Sequence, residues 1–169
     1  MMNKKVILTL VSLLLIITAI VAAYLLMNMT NKGTTVFVDP DELVRSIGQD
    51  FVVNISISNV VNLYAWESKL GWNMTVLELV DVTEGVFLKK AGVTFFTSRL
   101  NETIGFIVID CTLLGNSTGA NGNGVLASIQ FHVKNEGLCD LVPYDAKLVD
   151  ASDQIIAPVI NRGRFSTSS

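Results

Sequence analysis

The residues of this chain with chemistry to offer are few: two cysteines, one histidine, two tryptophans and a scatter of asparagine sequons. Cys111 and Cys139 are the only cysteines. In an oxidising compartment such a pair closes a disulfide more readily than it holds a metal, and one histidine without Cys-x-x-Cys spacing leaves a zinc site short of ligands. Each cysteine falls at a strand boundary, so neighbouring strands could join them; the alternative is two buried free thiols. His132 shares its strand parity with Gln130 and Ser128 and therefore faces solvent. A catalytic imidazole needs an orienting partner and a nucleophile within hydrogen-bond reach, and no local motif supplies either. Asp150 and Asp153, in DASDQII, lack the glycine and the later glutamate of an EF-hand loop and read as a turn. Gly115–Gly124 lacks the Gly-Lys-Ser/Thr ending of a phosphate loop and reads as a hairpin connection. The sequence thus predicts no catalytic residue, no metal site and no cofactor.

Asn-x-Ser/Thr acceptors occur at Asn28, Asn54, Asn73, Asn101 and Asn116. Asn28 lies too close to a long apolar run to serve. Asn54 falls on the polar parity of a strand, and Asn73, Asn101 and Asn116 fall in turns. These four are candidate glycosylation sites if the domain is exported, and ordinary surface asparagines otherwise.

Tyr64, Trp66 and Trp72 would stack on a sugar ring if exposed. They sit in Leu63–Val82 (LYAWESKLGWNMTVLELVDV), which alternates with period two, breaks at Asn73-Met74-Thr75 and alternates again. Tyr64, Trp66, Ser68, Leu70 and Trp72 share one parity, and Leu63, Ala65, Glu67, Lys69 and Gly71 the other. Successive strand side chains point to opposite faces. Exposing the tryptophans would bury Glu67 and Lys69, at several kcal/mol per unpaired charge, so the aromatic parity is read as core and the Glu67/Lys69 parity as a solvent face. In Phe95-Phe96 one ring must point out.

Several elements must position these residues. Val6–Met27 is an uncharged apolar run preceded by Lys4 and Lys5. At about 1.5 Å per residue its helix would span roughly 33 Å, enough for a bilayer core, with the N-terminus cytoplasmic and the remainder exported. The run reads as a signal anchor, or as a signal peptide cleaved near Val21-Ala22-Ala23. The division is residues 1–28 as anchor or signal, 29–34 as a short linker, and 35–169 as one domain. The product is a single-pass membrane protein with its C-terminal domain extracellular, or a secreted protein after cleavage. Of the 12 Lys and Arg, Lys4 and Lys5 precede the run, so the domain's remaining basic residues face all 15 Asp and Glu. An acidic domain without a basic run excludes nucleic acid as a natural partner.

Beyond the run no segment shows a 3.6-residue apolar period. Phe51–Ser58 alternates as a half-buried strand, Thr103–Cys111 is β-branched and aromatic, and Val125–Lys134 turns Ala127, Ile129, Phe131 and Val133 inward. Pro143 makes Leu138–Val149 a bent or edge element, and Phe87–Val93 is ambiguous. About nine short strands separated by turn signals predict an all-β antiparallel sandwich.

The order of LYAWESKLGWNMTVLELVDV, GVLASIQFHVK and AKLVDASDQII resembles the cohesin domain, especially its archaeal surface versions. Trp72-Asn73 stands at that family's aromatic-Asp position, Val76-Leu77-Glu78 follows as its Val-Leu-Glu strand, and Gly124–Lys134 looks like its Gly-x-x-Ala-x-Ile-x-Phe strand. The opening FVDPDELVRSIGQDFVVNISISNV is similar in plan, and the resemblance covers roughly Val36–Phe165. It implies a nine-stranded jelly-roll β-sandwich related to carbohydrate-binding modules. Bacterial members dock dockerin modules, and their docking face includes positions matching Ala65, Glu67 and Lys69. The expectation is a non-catalytic, membrane-anchored extracellular module that binds a dockerin-like or other protein through Leu63, Ala65, Glu67 and Lys69. A carbohydrate-binding module on the same fold, taking polysaccharide, and a structural surface or filament subunit are the alternatives.

Overall fold

The computed structural model describes residues 13–24, 33–101, 103 and 105–168. It divides into an N-terminal unit and a second unit spanning Gly33–Ser169. In the first unit residues 13–24 are helical. Among the described residues no helix is long and apolar enough to cross a membrane; both ends of the Val6–Met27 run, and Lys4 and Lys5 before it, lie outside the described residues.

The second unit is nearly all strand: β1 (Thr35–Asp39), β2 (Glu42–Arg45), β3 (Asp50–Gly71), β4 (Leu77–Glu84), a one-turn helix α1 (Val86–Lys89), β5 (Thr94–Asn101), β6 (Phe106–Leu113), β7 (Ala120–Val133), β8 (Leu138–Asp150), β9 (Ile155–Ile156), β10 (Val159–Asn161) and β11 (Gly163–Thr167). The expected nine strands become eleven among the described residues: the two alternating segments either side of Asn59–Asn62 merge into β3, while the four-residue β2 and three-residue β10 carry too little pattern to be read from alternation.

β3 organises both layers. Its first half pairs with β1 and β7, with β10 and β4 outside them. Its second half pairs with β6 and β8, flanked by β5 and β9. The crossing between layers lies at Asn59–Asn62, where the β3–β7 register shifts twice and Asn59 and Asn62 adopt positive φ of 55° and 61°. Among residues other than glycine, asparagine is one of the few that tolerate that region. Here the exposed peptide groups are tied down: Asn123 and Asn121 side chains accept from the Asn59 and Asn62 N–H groups at 2.7 and 2.9 Å.

The alternation of β7 holds, with Ala127, Ile129, Phe131 and Val133 all fully buried. The glycine stretch is not the expected hairpin connection: β6 and β7 pair with opposite halves of β3 and not with each other, and β7 begins at Ala120 and runs through Asn121–Gly124. The glycines there admit close neighbours. A Cβ on Gly119 would lie 2.2 Å from the Asn62 carbonyl oxygen, and one on Gly124 2.5 Å from the Phe87 ring. Phe87–Val93 resolves into α1, which buries Phe87 and Leu88. Pro143 sits where β8 is paired with β3 but with neither β11 nor β9, so the edge reading is right and its missing N–H has no partner to lose on that side. Between the layers Phe51 stacks on Phe165 at 4.9 Å and Trp72 meets Phe131 edge-on at 5.2 Å.

Candidate docking face

The outer face of the second layer is where three of the four sequence-predicted contact residues, Ala65, Glu67 and Lys69, converge. Antiparallel register builds it in rows. Ala65 lies beside Thr112 and Val149, Thr112 beside Phe95, and Val149 beside Ile155. This first row crosses five strands, roughly 19 Å at about 4.8 Å per strand. It is apolar but for Thr112, and its ends stand proud: Phe95 is 59% and Ile155 85% exposed. The second row is Lys147, Glu67, Asp110 and Thr97, and the third Tyr144, Lys69, Val108 and Arg99. A shallow groove of about 300 Å³ runs along the first two rows, lined by Ala65, Glu67, Phe95, Asp110, Thr112 and Val149 among others.

The charges on this face pair with one another. Lys147 Nζ donates to Glu67 Oε1 at 2.7 Å, Arg99 Nη2 to Asp110 Oδ2 at 3.1 Å, and Lys69 Nζ to Asp145 Oδ2. A β-bulge makes the last contact. Between the pairs Lys69↔Tyr144 and Glu67↔Lys147, β8 carries one residue more than β3, and Asp145 takes a φ of 50°. Such bulges bend the strand and re-aim a side chain; this one brings the Asp145 carboxylate between two lysines. The hydrogen bond from Lys69, then the Lys147 charge, holds that carboxyl below the usual aspartate range. The hydrogen bond to Glu67 and the Asp145 charge raise Lys147 above the usual lysine range. Solvent screens exposed pairs of this kind strongly; their effect is to match the charges at the centre of the face with one another.

Glu67, Lys69 and Ala65 are where the sequence pattern puts them. Leu63 is not. It is fully buried, because β3 carries an extra residue between the pairs Leu63↔Asp150 and Ala65↔Val149. That bulge at Tyr64 resets the parity, so Leu63 and Trp66 both point inward. Trp66 and Trp72 are core as expected, at 3% and 9% exposure, and Trp72 Nε1 donates to the Leu77 carbonyl at 3.2 Å. Tyr64 is half-buried, its hydroxyl donating to the Gly115 carbonyl at 2.7 Å.

The expected disulfide is absent: Cys111 and Cys139 are both free and buried. Cys111 pairs with Trp66 on one side of β3. Cys139 lies on the other side, three residues before Val142, which faces Gly71, and its Sγ accepts from the Asn73 N–H at 3.1 Å. Five strand residues separate Trp66 from Gly71, roughly 16 Å at about 3.3 Å per residue, far beyond the Cα separation of about 6 Å that a disulfide spans. Burial raises both thiols, and the Glu84 carboxylate adds to the shift at Cys111, which reaches about 12.

His132 is on the outer face of the other layer, its Nδ1 2.6 Å from Asp50 Oδ1, away from the docking rows. Among the described residues no group of three or more His, Cys, Asp or Glu could hold a metal ion. The face residues that sequence reading missed are Val149, Ile155, Asp110, Arg99, Lys147 and Asp145. The split at Phe95-Phe96 flagged Phe95; for the others the signal is long-range register, which a single strand's alternation does not contain.

Comparison with known proteins fits this geometry. Residues 35–166 match the family model for the cohesin domain. Cellulose-binding protein A of Clostridium cellulovorans is 27% identical over 119 residues, which cover 64% of this chain but 6% of that much longer protein. Among solved structures, a non-cellulosomal cohesin from the archaeon Archaeoglobus fulgidus superimposes with a TM-score of 0.70 at 20% identity, over 82% of this chain and 93% of the other. The sixth cohesin of scaffoldin B from Acetivibrio cellulolyticus, solved in complex with a dockerin, gives 0.69 at 18% identity, over 81% of this chain and all of the other.

Proposed function

The chain belongs to the cohesin domain family, a family of non-catalytic protein-interaction modules, and on that premise we propose that it docks a dockerin-like partner protein on the outer face of β9, β8, β3, β6 and β5. The observation that carries this reading is the first row, with exposed Phe95 and Ile155 at its ends and Ala65, Thr112 and Val149 between them. Beside it lies a row whose charges are already paired. The solved Acetivibrio cellulolyticus relative was captured with a dockerin, which supports the choice of partner.

The mechanism is recognition by a preformed surface. A hydrogen-bonded sheet has little backbone freedom left to lose on docking. Binding energy concentrates in a few apolar anchors that exclude water, with the polar row around them setting register. Phe95 and Ile155 are the anchors here, and Glu67, Lys69 and Asp110 the register-setting neighbours. In this reading the domain is presented outside the cell by the apolar run at residues 6–27. Sugar stacking has no support from the tryptophans, which are core.

Affinity capture from native membranes with the full chain identifies the partner. Phe95→Ala, and Glu67→Ala together with Lys69→Ala, should each reduce its recovery while leaving the fold intact. Undiminished capture by both variants would remove this face from consideration.

A further inference from the structure

Four sequons lie among the described residues, and the structure separates them. The Asn54 side chain lies between β1 and β7, in register with Asp39 and Ser128. Its Oδ1 accepts from Ser128 Oγ at 2.7 Å, and its hydroxyl partner Ser56 is 5% exposed. Asn101 is half-buried within β5, in register with Phe106 of β6. At Asn73 and Asn116, by contrast, both the asparagine and the hydroxyl residue two positions on, Thr75 and Thr118, are exposed and outside any strand. At Asn73 the site is also pre-arranged. Its Oδ1 accepts from Thr75 N at 3.0 Å and Thr75 Oγ1 at 2.7 Å. That fixes the amide plane, and among the described residues nothing accepts from Nδ2.

We propose that Asn73 and Asn116 are N-glycosylated and that Asn54 and Asn101 are not. The proposal rests on the reading that the domain is exported. The co-reactant is a polyprenyl-phosphate-linked oligosaccharide presented by a membrane transferase. Asn Nδ2 attacks the anomeric carbon; the C–N bond forms as the anomeric C–O bond to phosphate breaks. The lipid phosphate leaves, and one Nδ2 proton passes to the transferase's base. The acceptor must enter the transferase with its amide and hydroxyl accessible together, which the Asn54 sequon cannot do once folded. A glycan at Asn73 is compatible with docking. Eight positions separate it from Ala65, roughly 26 Å at strand rise, so it borders the far end of the face and leaves the Phe95–Ile155 row open.

The test is glycopeptide mass spectrometry on the full chain isolated from its native cells, paired with protease shaving of intact cells. Expected are sugar-bearing peptides containing Asn73 and Asn116, bare peptides containing Asn54 and Asn101, and loss of one glycan mass from the chain for each of Asn73→Gln and Asn116→Gln. Thr75→Ala should abolish modification at Asn73 and Thr75→Ser should retain it. Bare Asn73 and Asn116 on a domain that is shaved from intact cells overturns the proposal while leaving export standing. Protection from shaving overturns export and the proposal with it. Modification at Asn54 overturns the accessibility argument.

Discussion

Cys111 keeps its thiol 3.5 Å from the Glu84 carboxylate, inside the sandwich. Burial first, and then that carboxylate, push it up to about 12, so it stays protonated and unreactive at ordinary pH. Native protein at pH 8 should therefore show no thiol reactive to an aromatic disulfide reagent, and denatured protein, without reductant, two per chain. A count of zero after unfolding would mean an oxidised pair. Leu63 and Phe95 make the complementary contrast between core and face. Leu63→Ala removes a fully buried side chain and should cost about 2–5 kcal/mol in denaturant unfolding, with partner affinity unchanged once folded. Phe95→Ala should stay within about 0.5 kcal/mol of the parent in stability and lose partner binding. Had the parity of Leu63–Gly71 run unbroken, the two substitutions would both be surface changes.

At the scale of elements, bulges and glycines decide which residues share a face. The extra residue at Tyr64 turns Leu63 inward, and the one at Asp145 closes the charge row. Neither can be read from alternation, because a bulge is defined by the partner strand. Gly119→Ala would place a Cβ 2.2 Å from the Asn62 carbonyl. A backbone atom cannot yield as a flexible side chain does, so the β3–β7 crossing should shift at a cost of about 1–3 kcal/mol, seen as a lower Tm. The Asp145 cluster sets the pH behaviour of the face. The carboxyl is held below its reference of 3.8 and Lys147 above its reference of 10.5. The depressed carboxyl contributes above its unfolded value and loses that contribution as pH falls through the folded one. The raised lysine contributes below its unfolded value and loses that contribution as pH rises through the folded one. This cluster should consequently add no step to the unfolding free energy between about pH 5 and pH 9, checked by denaturant unfolding across that range; a step near neutrality would implicate a group outside it.

At the scale of the molecule, the second unit is a sandwich whose two outer faces differ in kind. One carries the apolar row. The other carries Asp50, Asn54, Ser128, Gln130 and His132, which hydrogen-bond among themselves. The inward parity of β7 and the burial of both tryptophans were legible because each depends on a single strand's alternation. The apolar row was half legible: Ala65 and the Phe95/Phe96 split are local, whereas Val149 and Ile155 join it only through pairings of distant segments. The cysteine pairing was misread because both cysteines flank β3 on opposite sides and at different heights, a relation that spacing of 28 positions along the chain does not encode. Since the charges of the docking face are paired within the chain, raising salt from 0.05 to 0.5 M should change partner affinity less than about threefold.

The most direct measurement compares the dissociation constant of the captured partner for Phe95→Glu and for Val52→Glu, two full-length variants with the same new charge on opposite faces. Val52 is 51% exposed on the other layer, so both changes are tolerable to the fold. Docking on the β9–β8–β3–β6–β5 face predicts at least about thirtyfold weaker binding for Phe95→Glu, equivalent to about 2 kcal/mol, and parental affinity for Val52→Glu. Parental affinity for Phe95→Glu with loss in Val52→Glu would contradict it and move the partner to the opposite sheet.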